Sequence, residues 1–284
     1  MNGAVSPLMQ LLSEVETLKK QIAESEDPVL KESVGSTINA IVAYGQEAYS
    51  EMTQILDEFE TFQKMEGLTE EQRNSLLAQS LDHFKDQMSD HEKDSFAKSC
   101  EDEYKGIWES LDGDSQEFLS TARYLGYALR MRGRGNYAPV INEMCRVFEN
   151  ELKKKIYNDY IVQMTQKQVV DMDSNTEPIK TAVSKKKKNK DYFISDTEMV
   201  CFIEALPSVK NNQSGYLSEL KKYLQAEKWD IQKLSDSQYT KSAHNYIDNY
   251  RNDSAHANLM DEKKAEKCDR QTHKIIKHFI ESKK

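Results

Sequence analysis

Along most of this chain apolar residues recur at alternating steps of three and four, the spacing that places them on one face of an α-helix. Leu8, Leu11, Val15, Leu18 and Ile22 open the pattern, and Ile38, Ile41, Gly45, Ala48, Met52, Leu56 and Phe59 mark a second long helix that ends near Gly67. Thr69-Glu70-Glu71-Gln72 has the form of a capping box, in which the Thr hydroxyl and the Gln amide satisfy free backbone donors at a helix start. Leu77, Leu81, Phe84 and Met88 carry the stripe onward. Residues 1–112 therefore form an N-terminal helical hairpin or coiled-coil arm, either a dimerisation stalk or a surface that docks a partner.

The turn Asp112-Gly113-Asp114 separates that arm from a second domain, residues 113–284. Asp114, with Glu117, is suited to cap the helix that follows, which carries Phe118, Leu119, Tyr124, Leu125 and Leu129. A long amphipathic helix runs from Val140 through Met144, Val147, Phe148, Leu152 and Ile156 to Tyr160 and Ile161. Residues 166–192 lose the period and carry the run Lys185-Lys186-Lys187-Lys188-Asn189-Lys190, so they read as a mobile basic insertion. Ser195-Asp196-Thr197-Glu198 is a second capping box, opening a helix with Met199, Cys201, Phe202 and Leu206. Tyr216, Leu217, Leu220, Tyr223 and Leu224 mark the next helix; Ala243, Tyr246, Ile247 and Tyr250 another; Ala265, Cys268, Thr272, Ile275 and Phe279 the last. With only 10 Gly and 5 Pro to break 284 residues, the expected fold is all-α, the second domain being a helical bundle.

The net charge of -9 hides an asymmetry. Residues 1–120 hold 9 Lys and Arg against 26 Asp and Glu, and residues 121–284 hold 30 against 22, so a half of charge −17 is joined to one of +8. The basic half is the candidate for a polyanion, unless both are ordinary solvated helix faces. Cys100, Cys145, Cys201 and Cys268 stand singly, without CxxC spacing, which fits reduced thiols of a cytoplasmic protein rather than a disulfide frame or a zinc site. His83 and His91 lie eight apart without a carboxylate set, so no metal and no cofactor is expected. There is no basic leader before an apolar run and no stretch of about 18 apolar residues, so neither secretion nor membrane spanning is expected.

Two stretches carry chemistry. Arg130-Met131-Arg132-Gly133-Arg134-Gly135-Asn136-Tyr137 gathers three arginines and an aromatic around a glycine turn, a composition suited to phosphates and base stacking. Its glycines are not at dinucleotide or P-loop spacing. The alternative is an interhelical loop whose arginines oppose a helix dipole. In Tyr250-Arg251-Asn252-Asp253-Ser254-Ala255-His256, a permanent cation, a carboxamide and a base that titrates near neutrality fall within six residues. Arg251 can hold a phosphodiester and His256 can move a proton. Five residues apart, they sit about 140° apart on a straight α-helix. One unbroken helix cannot aim both at one phosphate, so either the chain breaks near Asp253 and Ser254 or two protomers pool their motifs. The alternative is a tied-down helix junction beside a core histidine.

Arg251-Asn252 followed by His256, between two amphipathic helices, resembles the signature of the HEPN superfamily. Tyr137-Ala138-Pro139 before the helix bearing Phe148-Glu149-Asn150-Glu151-Leu152-Lys153 is similar to the helix that precedes an insertion in some bacterial members. The resemblance implies a homodimer whose paired motifs form one cleft that cuts RNA without a metal. Arg251 and His256 would be the catalytic pair and Asn252 the polar residue after the Arg. His256 would take the 2'-hydroxyl proton or supply one to the leaving oxygen, Arg251 would offset charge on the phosphate, and products would carry a 2',3'-cyclic phosphate. It also implies a toxin or phage-defence setting, with an antitoxin or regulatory protein on the N-terminal arm. Two other expectations remain open: a non-catalytic scaffold that binds RNA or nucleotide, and a coiled-coil adaptor with no nucleic-acid role.

Overall fold

Several helix starts in this chain are set by acidic and hydroxyl side chains, and the computed structural model shows where they act. It describes residues 90–132, 135–169, 176–190, 194–209, 215–252, 254 and 260–283. The seams expected before residue 90 and the Thr69 capping box lie outside the described residues.

Helix α1 (Asp90–Glu103) leads through a 3-10 turn, Trp108–Ser110, into α2 (Gly113–Arg132). The cap between them is Asp112 rather than the expected Asp114. Asp112 Oδ1 accepts the Asp114 N–H at 3.1 Å and the Asn150 amide at 3.1 Å, while Asp112 N–H donates to Glu151 Oε1 at 2.8 Å. Glu151 is fully buried, and its other oxygen lies 3.3 Å from Lys155 Nζ. A carboxylate in the core is thus matched by a backbone donor and a cation, as its desolvation demands.

Helix α3 (Ala138–Leu152) continues through a π-helical turn, Lys153–Tyr157, into α4 (Asn158–Thr165). Pro139 sits in its first turn, where a missing N–H costs nothing. The one long helix expected here is present, but its period slips at the π turn. Helix α5 (Glu177–Lys187) packs on α4 and buries Ile179, Ala182 and Val183. The stretch 166–192 thus contains a helix that the sequence hid, because its apolar stripe is only three residues long and a lysine run follows it. Helix α6 (Asp196–Ala205) begins at the expected box: Glu198 N–H donates to Ser195 Oγ at 3.3 Å and Ser195 N–H to Glu198 Oε2 at 2.9 Å.

Helices α7 (Tyr216–Ala226), α8 (Ile231–Leu234) and α9 (Ser237–Tyr246) follow, then a π turn at Ile247–Asn252 and the long α10 (Glu262–Glu281). The α10 face expected from sequence is the buried one: Ala265, Cys268, Thr272, Ile275 and Phe279. Among the described residues every regular element is helical, apart from one isolated bridge between Trp229 and Lys283.

The core lies where α2, α3, α9 and α10 meet. Phe148 stands edge-on to both Tyr246 and Phe279, with centroids 6.2 and 6.5 Å away, a favoured geometry for aromatic rings. Tyr104 and Cys100, on the N-terminal side of the Asp112 turn, belong to the same core, and Phe96 packs on Tyr124 at 5.1 Å. No described helix is long and apolar enough to cross a membrane.

Candidate functional site

Arg251 sits in the π turn that continues α9. Asp236 starts that run by accepting the Gln238 and Tyr239 N–H groups at 3.0 and 2.9 Å, and the Ser254 hydroxyl donates to the Arg251 carbonyl at 3.0 Å. Ser254 is itself helical, and the last long helix is opened by Asp261, which accepts the Lys264 N–H at 2.8 Å. The π turn carries the chain through Tyr250 to Asn252, and Asp253, where a break was expected, lies outside the described residues. Asn252 is exposed, its amide 3.4 Å from Asp248 Oδ1. His256 lies outside the described residues, and so does its placement relative to Arg251.

The Arg251 side chain is 29% exposed, with Nε 3.8 Å from Asp196 Oδ2. Asp196 is the first residue of α6, with its carboxylate only 11% exposed. Burial pushes the Asp196 carboxyl above its ordinary range, and Glu149 pushes the same way; Arg251, the Thr197 N–H and Lys153 pull against them without prevailing. Glu149 is itself paired with Lys153. Two acids and two bases from α3, its π turn, α6 and the α9 π turn thus balance one another where these elements converge. A guanidinium held this way is presented to solvent on one side while its charge is shared on the other.

The arginines of α2 and of the turn after it divide into structural and exposed members. Arg123 is paired with Glu103 and, at 3.1 Å, with Asp269, and serves the core. Arg130 is 51% exposed and faces Glu262 at 3.8 Å. Arg132 is the last residue of α2, and Arg134 lies outside the described residues. Tyr137 is 7% exposed, so its ring is packed away rather than offered to a base. Burial, with Glu262 adding, pushes its phenol up to about 12 against the pull of Arg130.

Between these stretches lies a contact that no sequence pattern announced. Asn136, buried, accepts the Ala138 N–H at 3.1 Å and the Met260 N–H at 2.9 Å on the same Oδ1, and Tyr137 N–H donates to the Met260 carbonyl at 2.9 Å. The start of α3 is thereby stitched to the residue just before α10. Gly135 beside it has φ +148, and a Cβ there would run into Leu129 Cδ2. Sequence reasoning counted Asn136 only as part of a basic loop, and Asp196 only as part of a capping box. The one available signal was an Asn directly before an aromatic-x-Pro helix start, where a carboxamide can cap.

His244, His273 and His278 have structural partners. His244 lies 3.3 Å from Glu204; His278 stacks on Tyr239 with centroids 4.2 Å apart and donates to the Lys233 carbonyl at 2.8 Å. His273 packs edge-on against Tyr104, and burial, then Lys277, lowers its pKa against the pull of Asp269. Among the described residues no group of three or more His, Cys, Asp or Glu side chains is placed to hold a metal. No protein-family model, curated protein or solved structure matches the chain.

Proposed function

We propose that this chain is a helical RNA-binding protein of HEPN type that cuts RNA without a metal, through Arg251 and His256, as a dimer whose paired motifs share one cleft. The observation that supports it best is the stitch at Met260. It joins the arginine-rich turn to the segment leaving Arg251 and His256, two stretches more than a hundred residues apart that both suit a phosphate backbone. Arg130, with Arg132 and Arg134, would hold the strand by its backbone, while Arg251 exchanges Asp196 for the scissile phosphate. His256 would move the proton between the 2'-hydroxyl and the leaving oxygen, and Asn252 would assist beside it. A toxin or phage-defence role in the cytoplasm, with an antitoxin or regulator on the N-terminal arm, belongs to the same proposal.

The test is incubation of the full-length protein with labelled RNA in EDTA, alongside Arg251→Ala and His256→Ala. Cleavage by the wild type is expected to leave 2',3'-cyclic phosphate ends and to spare DNA, with each variant slowed by about 10²–10⁴-fold. Undiminished cleavage by both variants would remove this site from the reaction.

One observation favours a non-catalytic scaffold instead: the Arg251 guanidinium already has a carboxylate partner. Salt-sensitive RNA binding without cleavage by any form would select that second reading.

A further inference from the structure

The π turn at Lys153–Tyr157 interrupts an otherwise continuous helix. Such turns recur at functional sites. Facing it is α5, which ends in Lys185, Lys186 and Lys187. Between the two lies an open groove of about 240 Å³. Its walls join ammonium groups from Lys153, Lys186 and Lys190, and one carboxylate, Asp159, to an apolar strip of which Val162 is the exposed member and Tyr157 a buried one, with the Asn158 carboxamide beside it. Val162 is 42% exposed, one of two large hydrophobic residues so exposed among the described residues. Lys186 and Lys190 are exposed, and among the described residues neither has a carboxylate within ion-pair distance.

Lysines at the end of α5 would by themselves be explained by the helix dipole. That account leaves unexplained why unpaired lysines and an uncovered apolar residue line one groove. An anion joined to a flat, partly apolar body satisfies both walls. Three ammonium groups, one of them shared with Glu149, outnumber the one carboxylate of the groove, Asp159, and suit the several acceptor oxygens of a phosphate better than a single carboxylate. The volume lies just below the roughly 300–1,000 Å³ of drug-sized pockets, which favours one small unit over a large cofactor.

We propose that this groove binds a nucleoside phosphate unit, its phosphate held by Lys186 and Lys190 with Lys153 behind them, and its base laid along the exposed Val162 beside the Asn158 amide. The unit comes either as a free nucleotide or as one residue of an RNA strand. Met199, which lines the groove, lies one turn beyond Asp196, the partner of Arg251. A strand on the Arg251 side therefore has the groove as its neighbour across the start of α6, yet the groove stands on its own residues and does not require cleavage.

The experiment is isothermal titration of the full-length protein with adenosine 5'-monophosphate, adenosine, inorganic phosphate and a six-nucleotide single-stranded RNA. The wild type is compared with Lys186→Ala/Lys190→Ala, Val162→Asp and Arg251→Ala. The double lysine variant is expected to weaken the monophosphate or the RNA by about tenfold or more, since each lost charged hydrogen bond counts roughly that much. Val162→Asp is expected to weaken the same ligand while leaving inorganic phosphate less affected. Binding of the monophosphate identifies a free nucleotide as a source; binding of the oligonucleotide alone identifies a strand. Arg251→Ala is expected to leave monophosphate binding unchanged, so loss of cleavage and loss of groove binding are separable. The proposal is overturned if neither ligand binds, if the folded double lysine variant binds as well as the wild type, or if inorganic phosphate binds as tightly as the monophosphate.

Discussion

Arg251 and Asp196 show how a single pair decides what a guanidinium is free to do. The pair is partly open to water, so it is worth at most about 1 kcal/mol, and a phosphate can compete for it. Asp196→Asn is expected to raise RNA affinity by up to about fivefold, the equivalent of that energy. Filter binding measures it, and a fall in affinity would mean that Asp196 instead positions the guanidinium. The same carboxyl has a pH signature. Its pKa is raised in the fold, chiefly by burial and then by Glu149, so the folded protein holds that proton more tightly than the unfolded chain. Its contribution to stability is then greatest in acid and declines as pH rises from the unfolded carboxylate value of about 3.9 through the raised one. Thermal unfolding of the wild type and Asp196→Asn across that window should show the decline in the first and a flatter profile in the second.

At the level of elements, the turn between α2 and α3 is held by backbone geometry that a side chain cannot share. Gly135→Ala would place a methyl against the buried Leu129 at a φ of +148, and a loss of about 2 kcal/mol is expected. Asn136→Ala would leave the Ala138 and Met260 N–H groups without their acceptor, at a similar loss of about 2 kcal/mol. Chemical denaturation measures both, and unchanged midpoints would show that the turn is not held this way. The helices themselves were largely legible, because α3 and α10 carry long stripes that one core buries. The α5 helix was not, since Ile179, Ala182 and Val183 make too short a stripe to stand out. Both π turns were also hidden: an i→i+5 slip leaves no composition signature. The Asp112 cap was misassigned to Asp114 because both are acidic and only the fold shows which one Asn150 engages.

For the whole molecule, the question is where a polyanion would lie. The charge asymmetry pointed to the C-terminal half, yet many of its cations are committed, Arg123 to Glu103 and Asp269 and Lys155 to Glu151. Arg130, half exposed, is the described arginine of the basic turn best placed to meet a phosphate. Arg130→Ala is expected to lower the salt dependence of RNA binding by about 0.7 in log–log slope, the share of one phosphate contact on a single strand. An unchanged slope would place the strand elsewhere. The arginine cluster was legible as composition, but its split into packed and exposed members was not, because Tyr137 and Arg123 are assigned by partners far along the chain.

Cys201 is exposed on α6, while Cys100, Cys145 and Cys268 are buried. The helix that opens with Asp196 therefore carries a natural attachment point for a fluorophore. Burial, with Glu204 and Glu198, raises the Cys201 thiol, so alkylation should proceed more slowly than for a free thiol, yet stop at one equivalent until denaturant releases the rest. Labelled without any mutation, the protein would report by emission change when a ligand settles near the start of that helix.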